Sequence, residues 1–381
     1  MNICVITFPV AYTKNGGSMK VIMSNFLEIL GAISDNIFVI TSSFLVIDPS
    51  IRKIIRITKI DTTKESSKSA AVKIIQYINY QYKVCRELLR ISNNIDIVFM
   101  YGGSSLLLPN LAAHVLRKKV YIFAQGPDFE ATRITYPPLI GSILYLIVKA
   151  IDKINWMLAD KVVIESKSMI ISEEMELIKN KVDSRGARYI DIEKFNIKKE
   201  YKERKKTVAY IGRLECGKGV MEFVKAIFLL NSSNPDINFF IGGDGKLSEE
   251  IISYLKMNDE LVKTELIGWI SHDQLPRYLN QLKLLVLPSS FEGLPTIVLE
   301  SMSCGTPVLA TSVGGIPDII KNEKTGFILD NNSPKCIARN INAALNHANL
   351  EQISINAREL IEKEFTFKAA VERFTKILEE I

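Results

Sequence analysis

Short apolar runs alternate with longer helix-patterned stretches along nearly the whole chain, and this alternation constrains the fold more than any other feature. Runs suited to strands fall at residues 3–8, 37–41, 95–101, 120–124 and 162–164. A second series begins at 207–211 and continues through 237–241, 264–267, 284–287, 307–310 and 326–329. Such runs leave no polar side for water, so strands of this kind separated by helices predict parallel sheets covered on both faces. Two series predict two doubly wound α/β units, and 381 residues are enough for two cores. The polar run at 198–206 reads as a surface connector, which puts the boundary near 185–205. At the end of the chain, Phe367, Val371, Phe374 and Leu378 share one face at helical spacing, and something must cover that face.

Composition removes several classes of function. The 48 basic against 42 acidic residues give a formal charge of +6, too small and too scattered for a nucleic-acid footprint, so no nucleic acid is expected as a partner. That balance is compatible with anionic substrates or an anionic membrane surface. Five cysteines (Cys4, Cys85, Cys216, Cys304, Cys336) form no C-x-x-C pair, which argues for a reducing compartment rather than a disulfide framework. His114, His272 and His347 lack metal-ligand spacing, so no zinc site is expected. The opening run has no basic n-region, and no secretory signal is expected. The most apolar segment, 137–148, is interrupted at Lys149, Asp152 and Lys153 and is too short to span a bilayer. A buried helix is the first expectation for 137–158, and an interfacial membrane-contact helix the alternative.

Chemistry concentrates in the second half. Glu292-Gly-Leu-Pro-Thr-Ile-Val-Leu-Glu300 follows the strand at 284–287 and sets two carboxylates across a loop-to-helix junction, with Pro295 suited to the first helical position. Ligands of open α/β sheets bind at that rim. The carboxylates would accept hydrogen bonds from sugar and ribose hydroxyls, and the helix start would hold phosphate. The alternative is a solvated and a capping glutamate. Arg213 and Lys218, in Gly212-Arg-Leu-Glu-Cys-Gly-Lys-Gly219, flank a helix start and would stabilise a departing diphosphate; otherwise they are loop cations. Glycine turns at 242–245, 314–315 and Gly16-Gly17 permit close backbone approach to a ligand or simply make tight bends. No Asp-x-Asp pair stands at a strand end, so the usual holder of a divalent ion is missing and charge must be met by Arg, Lys and helix dipoles.

With those residues assembled, the chain resembles the family-4 retaining glycosyltransferases of the GT-B fold, two Rossmann-like domains facing across a cleft. The resemblance runs through Gly212-Arg-Leu, Lys218-Gly219, Gly242-Gly-Asp-Gly245, Gly268-Trp-Ile270, 288–296, 300–308, Gly314-Gly-Ile-Pro317 and Thr325-Gly-Phe327, and more loosely through 159–165 and 191–195. It implies an acceptor-side domain over 1–190, a donor domain over 191–365, and a terminal helix, 366–381, that packs back on the first.

By that resemblance Arg213 and Lys218 contact the donor pyrophosphate, Glu300 the ribose, and Glu292 the transferred sugar and its phosphate, with backbone groups of Gly293 and Leu294 nearby. Ile270 borders the nucleobase, Gly212 and Gly243 stand among the donor-binding positions, and Gly16 and Gly17 close on the donor from the first domain. Gln125, where relatives often carry histidine, and Asp128 are candidates for sugar hydrogen bonding, or else loop structure. Asp318 stands where relatives often carry glutamate.

The implied activity is sugar transfer with retention from a nucleotide-diphosphate donor to a glycan or lipid-linked acceptor, with no metal and no cofactor. It belongs to cell-surface glycan synthesis in the cytoplasm, the inner membrane face included. A nucleotide-sugar epimerase and a non-catalytic nucleotide-binding module are the competing readings.

Overall fold

The computed structural model describes residues 1–7, 18–42, 51–60, 70–102, 106–124, 138–172, 174–231, 236–258 and 264–380. The chain divides into two compact units, Met1–Arg188 with Ala370–Ile381, and Tyr189–Ala369.

The first unit holds β1 (Asn2–Thr7), β2 (Asn36–Thr41), β3 (Ile55–Lys59), β4 (Ile97–Tyr101), β5 (Lys119–Ala124), β6 (Lys161–Ile164) and β7 (Val182–Asp183). They form one parallel sheet in the order β3-β2-β1-β4-β5-β6-β7. Side chains alternate between its faces. Phe99, Tyr101, Tyr121 and Phe123 of β4 and β5 point to one face, where they meet Phe26 of helix Ser18–Ile33 and Phe374 of helix Phe367–Glu379. Val98, Met100, Val120 and Ile122 point to the other, against Tyr80, Val84 and Leu88 of helix Ala70–Ile91 and Trp156 of helix Pro138–Leu158.

The second unit holds β8 (Thr207–Ile211), β9 (Asn238–Gly242), β10 (Thr264–Gly268), β11 (Leu284–Leu287), β12 (Val308–Thr311) and β13 (Phe327–Leu329). Its sheet is also parallel, in the order β10-β9-β8-β11-β12-β13. The order reverses between β8 and β11, and ligands of open parallel sheets bind beside the loops at the carboxyl ends of such a pair.

Four expectations need correction. The sheet gains β3, an edge strand whose sequence Ile-Arg-Ile-Thr-Lys lacks an apolar run, and the two-residue β7. The run at 198–206 is not simply a surface connector, because Tyr201 and Arg204 are buried in it. On the terminal helix the buried residues are Ala370, Phe374, Ile377 and Leu378, while Phe367 is exposed at its edge against Tyr189. Helix Pro138–Leu158 is not a buried helix: Asp152, Asn155 and Trp156 face inward, and Leu139, Leu146 and Met157 are exposed.

Candidate functional site

The carboxyl rim of the second sheet is tied together by backbone before any side chain joins it. The loop after β8 is tied to the loop after β9 by Leu214 N–H donating to Asp244 O (3.0 Å), and to the loop after β11 by Ser290 N–H donating to Gly217 O (2.8 Å). Gly243 N–H donates to Gly268 O (2.7 Å), and Gly315 N–H to Gly293 O (2.7 Å). Glycine is required where these loops touch. At Gly219 (φ +71°) a Cβ would lie 2.1 Å from Pro288 O, and at Gly314 (φ +54°) 2.0 Å from Glu292 O. Both the left-handed backbone and the missing space exclude a side chain. Gly314→Ala is accordingly expected to destabilise the second unit by about 1–3 kcal/mol, measured by denaturant unfolding, because strain at φ > 0 adds to the clash.

Lys218, from the loop after β8, and Glu292, from the loop after β11, come together at this rim. Lys218 Nζ lies 2.8 Å from Glu292 Oε1 and 3.3 Å from Phe291 O, and 4.9 Å from the centre of the Phe291 ring. The side chains are 12% and 14% exposed, shielded enough to hold a defined pair yet open to a ligand. Ser289 Oγ also donates to Glu292 Oε1 (2.8 Å). Among the described residues the N–H groups of Gly293 and Leu294 donate to no acceptor, whereas the Leu294 side chain is buried in the core. Their backbone can thus donate to an anion at the start of helix Thr296–Ser303. Pro295 stands one residue before that helix, at its N-cap, rather than at the first helical position.

Arg213 is not brought to this pair. Its guanidinium is exposed and bonds Glu215 within its own loop (3.0 Å), while its carbonyl is fixed by the Tyr210 hydroxyl (2.8 Å). Burial, with the nearby Glu292 charge, pushes the Tyr210 hydroxyl far above its usual range, so it remains a donor.

Glu300 lies buried within helix Thr296–Ser303. Its Oε1 is 2.8 Å from His272 Nε2, and His272 Nδ1 is 3.0 Å from Lys194 Nζ. A lysine ammonium only donates, so Nδ1 accepts and the ring proton sits on Nε2, where it donates to Glu300. Lys194 is anchored in turn by Asp273 (2.6 Å), and this partner holds the Asp273 carboxyl below its usual range. The relay fixes one oxygen of Glu300, and among the described residues the other has no partner. Ile270 packs over Gly242 on the same rim, where a Cβ on Gly242 would meet its Cδ1 at 2.5 Å.

His272 and Lys194 are partners of the Glu300 side chain that sequence reasoning missed. The available signal was that His272 follows Ile270 by two residues in the loop after β10, at the carboxyl rim. Gly212 and Gly243 belong to the same rim, the Gly212 carbonyl filling the space where a Gly243 Cβ would stand. Gly16, Gly17, Gln125 and Asp128 lie outside the described residues.

Residues 191–360 match the family model described as glycosyl transferases group 1. An uncharacterized glycosyltransferase of Methanocaldococcus jannaschii is 31% identical over 173 residues, 45% of this chain and 47% of that protein. The capsular polysaccharide biosynthesis glycosyltransferase CapM of Staphylococcus aureus is 25% identical over 280 residues, 68% of this chain and 70% of CapM. The chain spans about half the length of most of the curated relatives it matches. Among solved structures, Anabaena HepE in complex with UDP is similar at a TM-score of 0.73 and 14% identity, covering all of both chains. The fold is GT-B, with two Rossmann-like parallel-sheet units.

Proposed function

We propose that this chain is a glycosyltransferase that moves a sugar from a nucleotide-diphosphate donor to an acceptor hydroxyl with retention at the anomeric carbon. The observation that carries the reading is the Lys218–Glu292 pair spanning the strand-order reversal, beside N–H groups of Gly293 and Leu294 and an oxygen of Glu300 that have no partner among the described residues. These groups match the parts of a nucleotide sugar in order: ribose at Glu300, diphosphate at Lys218 and the Gly293–Leu294 backbone, and sugar at Glu292. That HepE was solved with UDP and with UDP-glucose supports a nucleotide-sugar donor, and the likeness to CapM, a capsular polysaccharide biosynthesis glycosyltransferase, supports an acceptor in surface-glycan synthesis; in this reading the acceptor is lipid-linked or free and the reaction runs at the cytoplasmic face of the membrane.

In this mechanism the bond between the anomeric carbon and the phosphate oxygen breaks as negative charge gathers on the diphosphate. Lys218 and the backbone donors stabilise that charge, and Arg213 joins them by leaving Glu215 for the phosphate. The acceptor oxygen bonds the anomeric carbon on the face the phosphate leaves, and the acceptor proton passes to the departing phosphate oxygen. Catalysis is positioning and charge stabilisation, with no covalent sugar intermediate and no divalent ion. His272 acts through Glu300, presenting its second oxygen to the ribose.

A panel of nucleotide sugars screened for thermal stabilisation identifies the donor, because a ligand of the folded state raises the unfolding temperature by mass action. With that donor and an acceptor, the anomeric configuration of the product tests retention, and activity retained in EDTA tests metal independence. Interconversion of the donor sugar without acceptor would replace this reading by epimerisation, and binding without turnover by a nucleotide-binding module. Glu300→Gln is expected to weaken nucleoside diphosphate binding about 10- to 100-fold by calorimetry, the worth of a charged hydrogen bond to ribose. An unchanged dissociation constant would remove Glu300 from ribose recognition.

A further inference from the structure

Helices Ala70–Ile91, Leu107–Val115 and Pro138–Leu158 cover one face of the first sheet, neighbour to neighbour. Their inward residues build the core, and their outward residues are unusual for a water-facing surface. On Pro138–Leu158, Leu139, Ile143, Leu146, Ile147, Ile154 and Met157 are all exposed, at the i, i+3 and i+4 spacing of a single stripe. Leu139 is 76% exposed, Leu146 64% and Met157 61%, so the stripe is not a margin of the core. The only charged residues of that helix are Lys149, Asp152 and Lys153; Asp152 is buried, and both lysines meet Glu174 beside the stripe. On Ala70–Ile91, Ile75, Ile78 and Tyr82 are exposed. Apolar surface of this extent marks an interaction site.

Charge indicates the partner. In Ala70–Ile91 the acid Glu87, its side chain 14% exposed, lies 3.7 Å from Arg86 and 3.8 Å from Arg90, which stay 71% and 80% exposed, so the two arginines leave a net positive charge outward. Arg117 follows Leu107–Val115 and is exposed, whereas the Lys118 ammonium donates to Ile95 O (2.8 Å), and that segment contains no acid. The face therefore combines an apolar stripe with outward cations, and its helices keep their own acids inside. An apolar protein partner would be served by the stripe alone, whereas an anionic bilayer takes both parts: apolar side chains at the headgroup boundary and arginines on the phosphates. Among the described residues no helix is long and apolar enough to cross a membrane, so this face would rest on a bilayer and not span it.

We propose that the outer face of these three helices docks the protein on an anionic phospholipid surface, with the Pro138–Leu158 stripe lying in the interface. This does not rest on the transfer reaction. The test is co-sedimentation of the full chain with vesicles of phosphatidylcholine alone and of phosphatidylcholine with phosphatidylglycerol, together with its oligomeric state by light scattering. The chain should partition onto the anionic vesicles and come off as salt is raised. Leu146→Glu with Met157→Glu, both exposed and so compatible with folding, should lower partitioning about 10-fold or more, as should Arg86→Glu with Arg90→Glu. Unfolding midpoints close to that of the parent confirm that the variants fold. The proposal is overturned if anionic vesicles bind no better than neutral ones, or if both double variants bind as the parent does. It is equally overturned if the parent is a dimer that Leu146→Glu with Met157→Glu separates while vesicles bind neither form, since a second copy then occupies the face.

Discussion

Lys218→Ala is expected to lower kcat by about 10²- to 10³-fold with a smaller change in KM, the loss typical of a donor aimed at charge that develops only in the transition state. The side chain is 2.8 Å from Glu292 Oε1 and only 12% exposed, so its charge is held at the strand-order reversal and shielded from water. Arg213, by contrast, is held 3.0 Å from Glu215 on the surface and stabilises less in water. Removing Lys218 also strips Glu292 of its counter-ion and leaves Ser289 Oγ as its remaining side-chain partner. Some loss of stability should therefore accompany the loss of turnover, and Glu292→Gln in the Lys218→Ala background separates the two. If the cost arises from an unpaired carboxylate, the double variant regains stability, whereas turnover stays low because the phosphate still lacks its cation. Unchanged kcat in Lys218→Ala, with unfolding unaltered, would remove the residue from catalysis.

How much of this was legible in the sequence depended on whether one segment carried its own signal. The strands β4, β8 and β11 are apolar on both faces and bounded by turns, so their pattern alone located them. Ile55–Lys59 did not announce itself, because an edge strand needs no apolar run and here alternates arginine, threonine and lysine with isoleucine. Glu292 and Glu300 could be placed after one strand from the sequence, because only a loop and the start of a helix separate them. Their partners could not: Lys194 precedes His272 by 78 residues, and only the fold makes them neighbours. Charge density misled at 198–206, where a run of lysines hides one buried arginine. Apolar density misled in Pro138–Leu158, since mean hydropathy does not say whether an apolar face meets a core or a surface.

Arg204 shows most plainly how that hidden residue governs the site, and Arg204→Ala is expected to destabilise the second unit by about 3 kcal/mol or more. The guanidinium donates to Cys304 O (2.7 Å), Thr306 Oγ1 (2.6 Å), Lys199 O (3.0 Å) and, at 3.3 Å, Leu282 O. Cys304 and Thr306 lie just past the carboxyl end of helix Thr296–Ser303, where unpaired carbonyls and the helix dipole both favour a cation. From the far side Arg358 donates to Ser303 O and Phe195 O, so two guanidinium groups hold the end of the helix that carries Glu300. Burial draws the Arg204 pKa down from its ordinary value but leaves it charged, and its forked donors reach acceptors in three directions that a lysine could not. Alanine would leave those carbonyls buried without partners and let the helix end loosen. Thermal unfolding should fall by about 2–4 °C for each kcal/mol in a unit of this size. Donor binding should weaken together with stability, because Glu300 stands one turn before the freed carbonyls. Arg204→Lys should fall between alanine and the parent in stability. A melting temperature unmoved by Arg204→Ala would show that the helix end is held by Arg358 and packing alone.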